Sequence, residues 1–391
     1  VEWNFTRPNT VYIPTELDTM IRVLTFVLLA ASAQLAEAQI AATITGTVTD
    51  TTGAPIAQAN VFIASSMAGT TTDDNGLYRL PGIPLGTLRL VVSRVGYESD
   101  HIDLFVREAR TYTQDFQLRD KIYEVGEVTV STNNRRWQRQ LERFINIFIG
   151  ESPNAQETTI TNPEVLDFSG RGGEFRAQAS EPLIIENKAL GYKLTYFLNE
   201  FIAEPNSWRW DGEPLFEPLE PSSPEEAARW SAKRDSAFYG SFRHFLLSVI
   251  NDQVEEQGFK IYSRPGSNQR VLDLRGGVSG NRENRFPINA SDIIRAGQYD
   301  DERILDFEGY IDVVYTHELE DAVYLKLQRR AGRARYQTSP IRLDRGPTVV
   351  DLKGDTQDPY GVTFYGGYFA YERTGDQLPK EFRPWTQDES F

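Results

Sequence analysis

The 391-residue sequence contains no cysteine and only three histidines. The first absence removes thiol nucleophiles, cysteine-ligated zinc, disulfides and a bacterial lipoprotein anchor, which needs a cysteine at its cleavage site. The second narrows metal chemistry. His101, His244 and His317 lie far apart in the chain and no H-E-x-x-H occurs, so a zinc site would draw on scattered ligands. G-x-S-x-G is missing too, which removes the commonest serine-hydrolase signature. Long apolar runs are scarce: the longest spans residues 23–33, shorter than the ~20 residues a membrane-crossing helix needs. Basic charge is also in deficit. With 41 Lys and Arg against 56 Asp and Glu, the net charge of -15 disfavours nucleic-acid and anionic-membrane partners. Two locally basic stretches, RPGSNQRVLDLRGG and LQRRAGRAR, read as solvated surface or turn, with a phosphate or acidic-glycan contact as the alternative.

What is present suits packed domains. Hydrophobic residues make up 40% and aromatic residues 12%, enough for sizeable cores, and the length suggests two or three domains. Without disulfides, a chain of this size is held by core packing alone.

Residues 20–39 read MIRVLTFVLLAASAQLAEAQ. Arg22 precedes the apolar stretch, and Ala36-Glu37-Ala38 gives the small-x-small pattern of signal peptidase, so residues 20–38 are expected to be a cleaved signal peptide. A retained N-terminal anchor is the alternative. Residues 1–19 are polar, begin with Val1 and are expected to be a gene-model extension ahead of a start at Met20. The mature chain is then exported, periplasmic or outer-membrane-associated, with no transmembrane helix.

Between Gly46 and Leu118, β-branched runs of four to seven residues alternate with turn signals: TTGAP, DDNG and PGIPLG. That pattern predicts several short antiparallel strands forming a small sandwich. Strands are expected near residues 44–50, 59–65, 69–72, 77–80, 87–93, 102–106 and 112–118. Asn75-Gly76 supplies the positive-φ turn position, and Tyr78 and Tyr97 fold back over the core edge. Asp73, Asp74 and Asn75 lack the twelve-residue loop and terminal Glu of a calcium site, so a hairpin turn is the plainer reading. His101 is placed on a strand surface.

The run GTVTD…GAPIAQANVFI…GTTTDDNGLYRLPGIPLG…LVVSRVGYES closely resembles the carboxypeptidase regulatory-like domain, a transthyretin-like β-sandwich of exported Bacteroidota proteins. The resemblance covers about residues 43–130, including the strand-like EVGEVTV exit at 124–130. It implies an accessory module without peptidase activity of its own. Related sandwiches that bind glycans keep a carbohydrate reading open at the level of fold analogy.

Residues 134–391 are expected to form a larger, β-rich α+β domain with two or three helices. Residues 135–149 place Trp137, Leu141, Phe144, Ile145 and Phe148 on one helical face, suited to covering a sheet edge, with Gly150 and Pro153 as stop signals. A hairpin is expected around 187–191. The Pro- and acid-rich stretch holding Trp208, Trp210, Pro214 and Pro218 is expected to have little regular structure. Its tryptophans could offer a sugar-stacking platform or simply pack a loop. Ser223-Pro224-Glu225-Glu226 is a helix start, with continuation possible to Glu256 unless Gly240 breaks it. After Gly258 the chain reads as a β meander over 304–318, 322–329, 336–344 and 347–354. His244 is the most tempting catalytic candidate, yet no partner is fixed for it. Asp306, Glu308, Asp312 and Glu318 invite a general-acid/base reading, against which stands a solvent-facing carboxylate row. From NRRWQRQLERFINIF through YGSFRHFLLSVI to GYFAYERTGDQLP, the pattern resembles uncharacterised Bacteroidota envelope proteins, which implies an architecture but no activity.

The fold class is therefore expected to be mainly β with some α: a seven-stranded-type sandwich, then the α+β domain. Five or six strands after Gly258 are too few for an outer-membrane barrel. The expected function is a non-catalytic exported binding or scaffold protein of the cell envelope, with an envelope protein or a glycan as partner. No catalytic, cofactor-binding or metal residue is assigned, and no cofactor. The alternative is a carbohydrate-binding protein or an envelope hydrolase with its site in the second domain.

Overall fold

The structure, a computed structural model, describes residues 41–121, 135–264, 285–330 and 333–384, together with the backbone of 272–273 and 277–278. The expected signal peptide, the segment before it, the exit strand at 124–130, Asn133-Asn134 and most of the RPGSNQR stretch lie outside the described residues.

Alternation governs the front sandwich. In β1 (Ala41–Asp50) the residues Ala42, Ile44, Gly46 and Val48 are buried and those between them are not, the period of two that turns one strand face to a core. Beyond it come β2 (Asn60–Ile63), β3 (Gly69–Thr71), β4 (Leu77–Pro84), β5 (Gly86–Ser93), β6 (Asp100–Val106), β7 (Thr111–Thr113) and β8 (Phe116–Leu118). One sheet runs β4-β1-β7 with β8 also on β1, and the other runs β3-β2-β5-β6. The seven expected strands become eight because the last is split into β7 and β8. The PGIPLG corner is mostly strand: β4 continues to Pro84, with a register shift opposite Ala42 and Ile44. Asp73 Oδ1 accepts from Asn75 N at 2.9 Å and Leu77 N at 2.8 Å, which closes the hairpin turn. At Gly46 the chain passes so close to Gln114 that an added Cβ would lie 1.8 Å from its carbonyl oxygen. Tyr78 Oη donates to that same oxygen at 2.6 Å, so glycine and tyrosine together close the sandwich edge.

The second part opens with α1 (Arg135–Phe148). It lies on a sheet face rather than an edge, since Phe144 packs at a tilt on Phe201 at 4.7 Å and Phe148 meets Tyr196 edge-on at 4.9 Å. That sheet comprises β9 (Thr158–Ile160), β10 (Leu166–Ser169), β11 (Phe175–Ala179), β12 (Leu183–Asn187), β13 (Tyr192–Glu204) and β14 (Ser207–Pro218), in the order β10-β11-β13-β12-β9 with β14 on β13. The expected hairpin at 187–191 is present.

β14 corrects the expectation of an irregular Pro-rich stretch. It pairs with β13 from Tyr192↔Pro218 to Glu204↔Ser207. Pro214 O accepts from Ser65 N at 2.9 Å, so the backbone of Pro214 faces away from β13 and its missing N–H costs that ladder nothing. Long-range pairing overrides the local punctuation.

α2 (Pro224–Phe238) starts at the expected N-cap, with Ser223 Oγ accepting from Glu226 N at 3.3 Å. The reciprocal bond shifts by one residue: Glu226 accepts from Ser222 N at 2.8 Å. The helix stops at Gly240 (φ +82) and α3 (Phe242–Ile250) begins afresh on the Ser241 cap. Here a Cβ would sit 2.8 Å from both Gln337 Oε1 and Tyr315 Cδ1, so this glycine both turns the chain and permits close packing.

The remainder holds β15 (Phe259–Arg264), β16 (Leu272–Asp273), β17 (Gly277–Val278), β18 (Phe286–Ile288), β19 (Ile294–Ala296), β20 (Glu302–Leu305), β21 (Tyr310–Leu319), β22 (Tyr336–Arg342), β23 (Thr348–Asp351) and β24 (Thr363–Phe364). They form a sheet β18-β15-β21-β22-β24, a smaller one β19-β20-β23, and the pair β16-β17. The expected strand at 304–318 is broken at Gly309. The one at 322–329 is instead α4 (Ala322–Leu327), because the Asp321 carboxylate accepts from Tyr324 N at 2.8 Å and caps a helix. A last short helix, α5 (Gly367–Tyr371), precedes the C-terminal strap 377–383. Among the described residues three helices have nine residues or more and two are shorter, in a mostly β chain.

The sandwich is docked, not tethered. Phe62 stacks on Phe197, Ser65 and Ser66 bond the outer edge of β14, and Arg89 reaches Glu213 at 3.3 Å and Gln357 O at 3.0 Å. Thr87 Oγ1 donates to Asp301 at 2.7 Å, and Phe105 packs on Tyr299. The strap closes the contact: Lys380 N donates to Ser65 O at 2.8 Å and Glu381 accepts from Met67 N at 3.1 Å.

Candidate functional site

The twelve-residue β14 stands beside the strap and leaves a cavity of about 950 Å³ between β14, α2, α3 and residues 359–380. Its walls interleave aromatic faces with hydrogen-bonding groups. Trp208, Trp210, Tyr360, Phe364 and Tyr365 contribute the rings, and Arg209, Asp211, Arg345, Glu372 and Asp376 the polar groups. That composition suits a ligand with both flat apolar faces and hydroxyl groups.

The two tryptophans separate. Trp210 is half-buried, edge-on to Phe148 at 5.8 Å and stacked with Phe201 at 6.5 Å. Trp208 is 43% exposed at the cavity wall. The Arg373 guanidinium lies over Trp208 at 4.7 Å, while donating to the α1 carbonyls of Asn146 (2.7 Å) and Ile147 (2.8 Å). Burial lowers Arg373 to about 10, still charged at neutral pH. Opposite, Tyr360 Oη donates to Glu200 at 2.8 Å, and Glu200 also takes Arg209 Nε at 3.1 Å. Tyr365 donates to Asp344 at 2.7 Å. Both tyrosine hydroxyls are pushed far up by burial and by these carboxylates, so they stay protonated donors.

The strap is fixed by α3. Arg243 donates to Pro379 O at 2.8 Å and Leu378 O at 3.3 Å, and also to Phe382 O. Lys380 bonds Asp355 at 2.7 Å. A charged group that satisfies several carbonyls in a partly dry setting holds this wall in one position.

The acids of the wall differ sharply. Asp376 accepts from Ser152 Oγ at 2.8 Å and Asn154 Nδ2 at 3.0 Å, yet burial raises its carboxyl to about 6. Glu372, just past α5, makes no hydrogen bond or ion pair through its carboxyl among the described residues. Burial, followed by the charges of Asp376, Glu318 and Asp321, pushes it well above the ordinary carboxylate range.

Trp208 and Trp210, singled out in the sequence, line this cavity, whereas the histidines and the carboxylate row lie elsewhere. His244 is buried, with Nδ1 accepting from Gly240 N at 3.1 Å and Nε2 3.0 Å from Gln257 Oε1; burial lowers it to about 4. His317 is exposed on the far side of Tyr315, and His101 is an exposed residue of β6. The carboxylate row is corrected too. Asp306 pairs with Arg295 at 3.2 Å, but Asp312 is fully buried between Arg264 (Nε at 2.8 Å) and Arg285. Glu318 is half-buried and accepts from Gln337 at 3.0 Å. Among the described residues no group of three or more His, Asp or Glu side chains is placed to hold a metal ion. No helix there is long and apolar enough to cross a membrane, which says nothing of a β-barrel. Glu372, Tyr360 and Tyr365 carry no signal in the sequence, because only the fold brings the segment 359–380 opposite β14.

Comparison with known proteins finds partial likenesses. One curated relative is the TonB-dependent receptor SusC of Bacteroides thetaiotaomicron, 26% identical over 156 residues; the match covers 37% of this chain and 15% of the relative's length. Solved structures with local likeness include 3-chlorocatechol 1,2-dioxygenase from Rhodococcus opacus 1CP (15% identity, 22% of this chain, 62% of that one, TM-score 0.19). Another is a type II cohesin–X-dockerin complex from Acetivibrio cellulolyticus (20% identity, 20% of this chain, 58% of that one, TM-score 0.18). Scores this low carry no statement about activity. Residues 43–119 match the family described as the carboxypeptidase regulatory-like domain. The eight-stranded sandwich at the front of this chain is a carboxypeptidase regulatory-like domain, with a larger β-rich part behind it.

Proposed function

We propose that this chain is a non-catalytic exported binding protein of the cell envelope, and that the cleft between β14 and the strap receives a neutral oligosaccharide. The observation that carries this reading is the cleft wall itself, where Trp208, Tyr360, Phe364 and Tyr365 alternate with fixed donors and acceptors. Sugars present an apolar ring face and a rim of hydroxyls, and both features find counterparts there. The export address draws support from the signal-like residues 20–38 and from the relative named as a TonB-dependent receptor. Since the chain spans 15% of that receptor, no transport activity follows from the likeness. Domain limits of 43–130 and 134–391 remain our proposal.

One observation favours a hydrolase as the second reading: among the carboxyl groups that line the cleft, Glu372 and Asp376 lie four residues apart and burial raises both. A single experiment separates the readings. The full chain is incubated with an array of neutral oligosaccharides, and bound sugar is recovered and sized. Retention of intact oligosaccharide supports binding. Shortened products would move the assignment to the hydrolase, and retention of nothing would remove the glycan reading.

A further inference from the structure

The cleft holds one group whose chemistry nothing else in the fold uses. Glu372 follows α5, its backbone N–H donating to Tyr368 O at 3.0 Å. Glu372 lines the cavity, and its carboxyl has no hydrogen-bond or ion-pair partner among the described residues. The nearest cation in sequence, Arg373, is spent on Ala370, Asn146 and Ile147 carbonyls and on the Trp208 ring. Its other neighbours are acids: Asp376, Glu318 and Asp321 all raise the cost of a charge at Glu372. Asp321 is itself engaged, accepting from Tyr368 Oη at 2.5 Å and Tyr371 Oη at 3.4 Å. A second polar group lies on the same wall, for Gln377 also lines the cavity and its enclosed Oε1 has no hydrogen-bond partner. Unpaired polar groups at a protein surface opening are expensive unless water or a ligand satisfies them.

We propose that Glu372 determines the specificity of the cleft: its unpaired carboxyl hydrogen-bonds a hydroxyl of an uncharged ligand, and the acids around it exclude an anionic one. This rests on the glycan reading above and adds to it the class of sugar. A carboxyl without a protein partner accepts a hydrogen bond from a hydroxyl, and burial with the neighbouring acids favours its protonated form, which also donates; a uronate carboxylate set at Glu372 would face Asp376, Glu318 and Asp321, while the arginines of the cleft stand at other points of its lining. A site built to pair one hydroxyl discriminates strongly once its own polar group is left unpaired.

The test is calorimetric titration of the full chain with a panel of neutral tetrasaccharides and with tetragalacturonate. Wild type, Glu372→Gln and Glu372→Ala are compared, each checked for an unchanged circular dichroism spectrum and melting midpoint. Wild type is expected to bind a neutral tetrasaccharide at least about tenfold more tightly than the uronate. Glu372→Gln, which keeps a donor and an acceptor, stays within about threefold of wild type, and Glu372→Ala loses about tenfold. Equal affinity of Glu372→Ala and wild type, or uronate binding as tight as neutral binding, overturns this inference and leaves the glycan cleft standing. Failure of wild type to bind any neutral member of the panel overturns both.

Discussion

Phe62 of the sandwich and Phe197 of β13 stack at 4.7 Å between ring centroids with an interplanar angle of 24°. Both are buried, together with Ala64 and Val91. Phe62→Ala removes this anchor and is expected to cost about 3–5 kcal/mol. In denaturant titrations followed both by far-ultraviolet circular dichroism, which reports all the strands, and by tryptophan fluorescence, which among the described residues reports only the second part, it should separate the unfolding of the sandwich from that of the second part. A single unshifted transition would show that the stack does not couple them.

Glu213 lies in the same seam, 3.3 Å from Arg89, and burial raises it from 4.5 to about 7. The folded chain therefore holds this proton where the unfolded chain releases it. Stability contributed by Glu213 is full below pH 4.5 and is lost as pH rises through 7, up to about 3 kcal/mol. Glu213→Gln should abolish that fall, read as the pH dependence of unfolding free energy.

His244 has the opposite sign. Its folded value of about 4 lies below the ordinary 6.5, so its contribution is present above 6.5 and disappears as pH drops through 4, again by up to about 3 kcal/mol. In wild type the two slopes oppose one another over much of pH 4.5–6.5. His244→Gln should unmask the Glu213 slope, with stability decreasing as pH rises. An identical profile in the variant would contradict the buried, neutral imidazole.

Much of the sandwich was legible because its strands alternate and its turns carry their own chemistry, as at Asp73–Gly76. The N-cap at Ser223 and the hairpin at 187–191 were legible for the same local reasons. β14 was not, because its partner β13 and the Ser65–Ser66 edge are invisible in a Pro-rich window. Residues 322–327 carry the pattern of a strand, yet one aspartate cap outweighs the short apolar run and makes them helix. The cleft is the least accessible: Trp208 stands out in the sequence, but its pairing with Arg373 spans 165 positions, and Glu372 acquires its character from burial in the fold and from Asp376, Glu318 and Asp321. Asp312 shows the same limit, since the sequence sets it in one row with Asp306, Glu308 and Glu318 and cannot reveal the two arginines that hold it.

That arginine–aspartate–arginine group supplies a further expectation. Asp312→Ala leaves Arg264 and Arg285 without their shared carboxylate in the β15–β21 sheet. The loss should be about 3–5 kcal/mol, measurable by urea denaturation. A change below about 1 kcal/mol would mean that solvent already reaches the pair.

The most direct measurement is calorimetric titration of the neutral oligosaccharide selected on the array into wild type and Trp208→Ala. Trp208 is exposed at the wall and remote from the main cores, so the variant should fold as wild type does. Saturable binding to wild type, weakened by about 1 kcal/mol or more in Trp208→Ala, is the expected result. Binding of equal strength in both proteins would contradict a sugar-binding cleft between β14 and the strap.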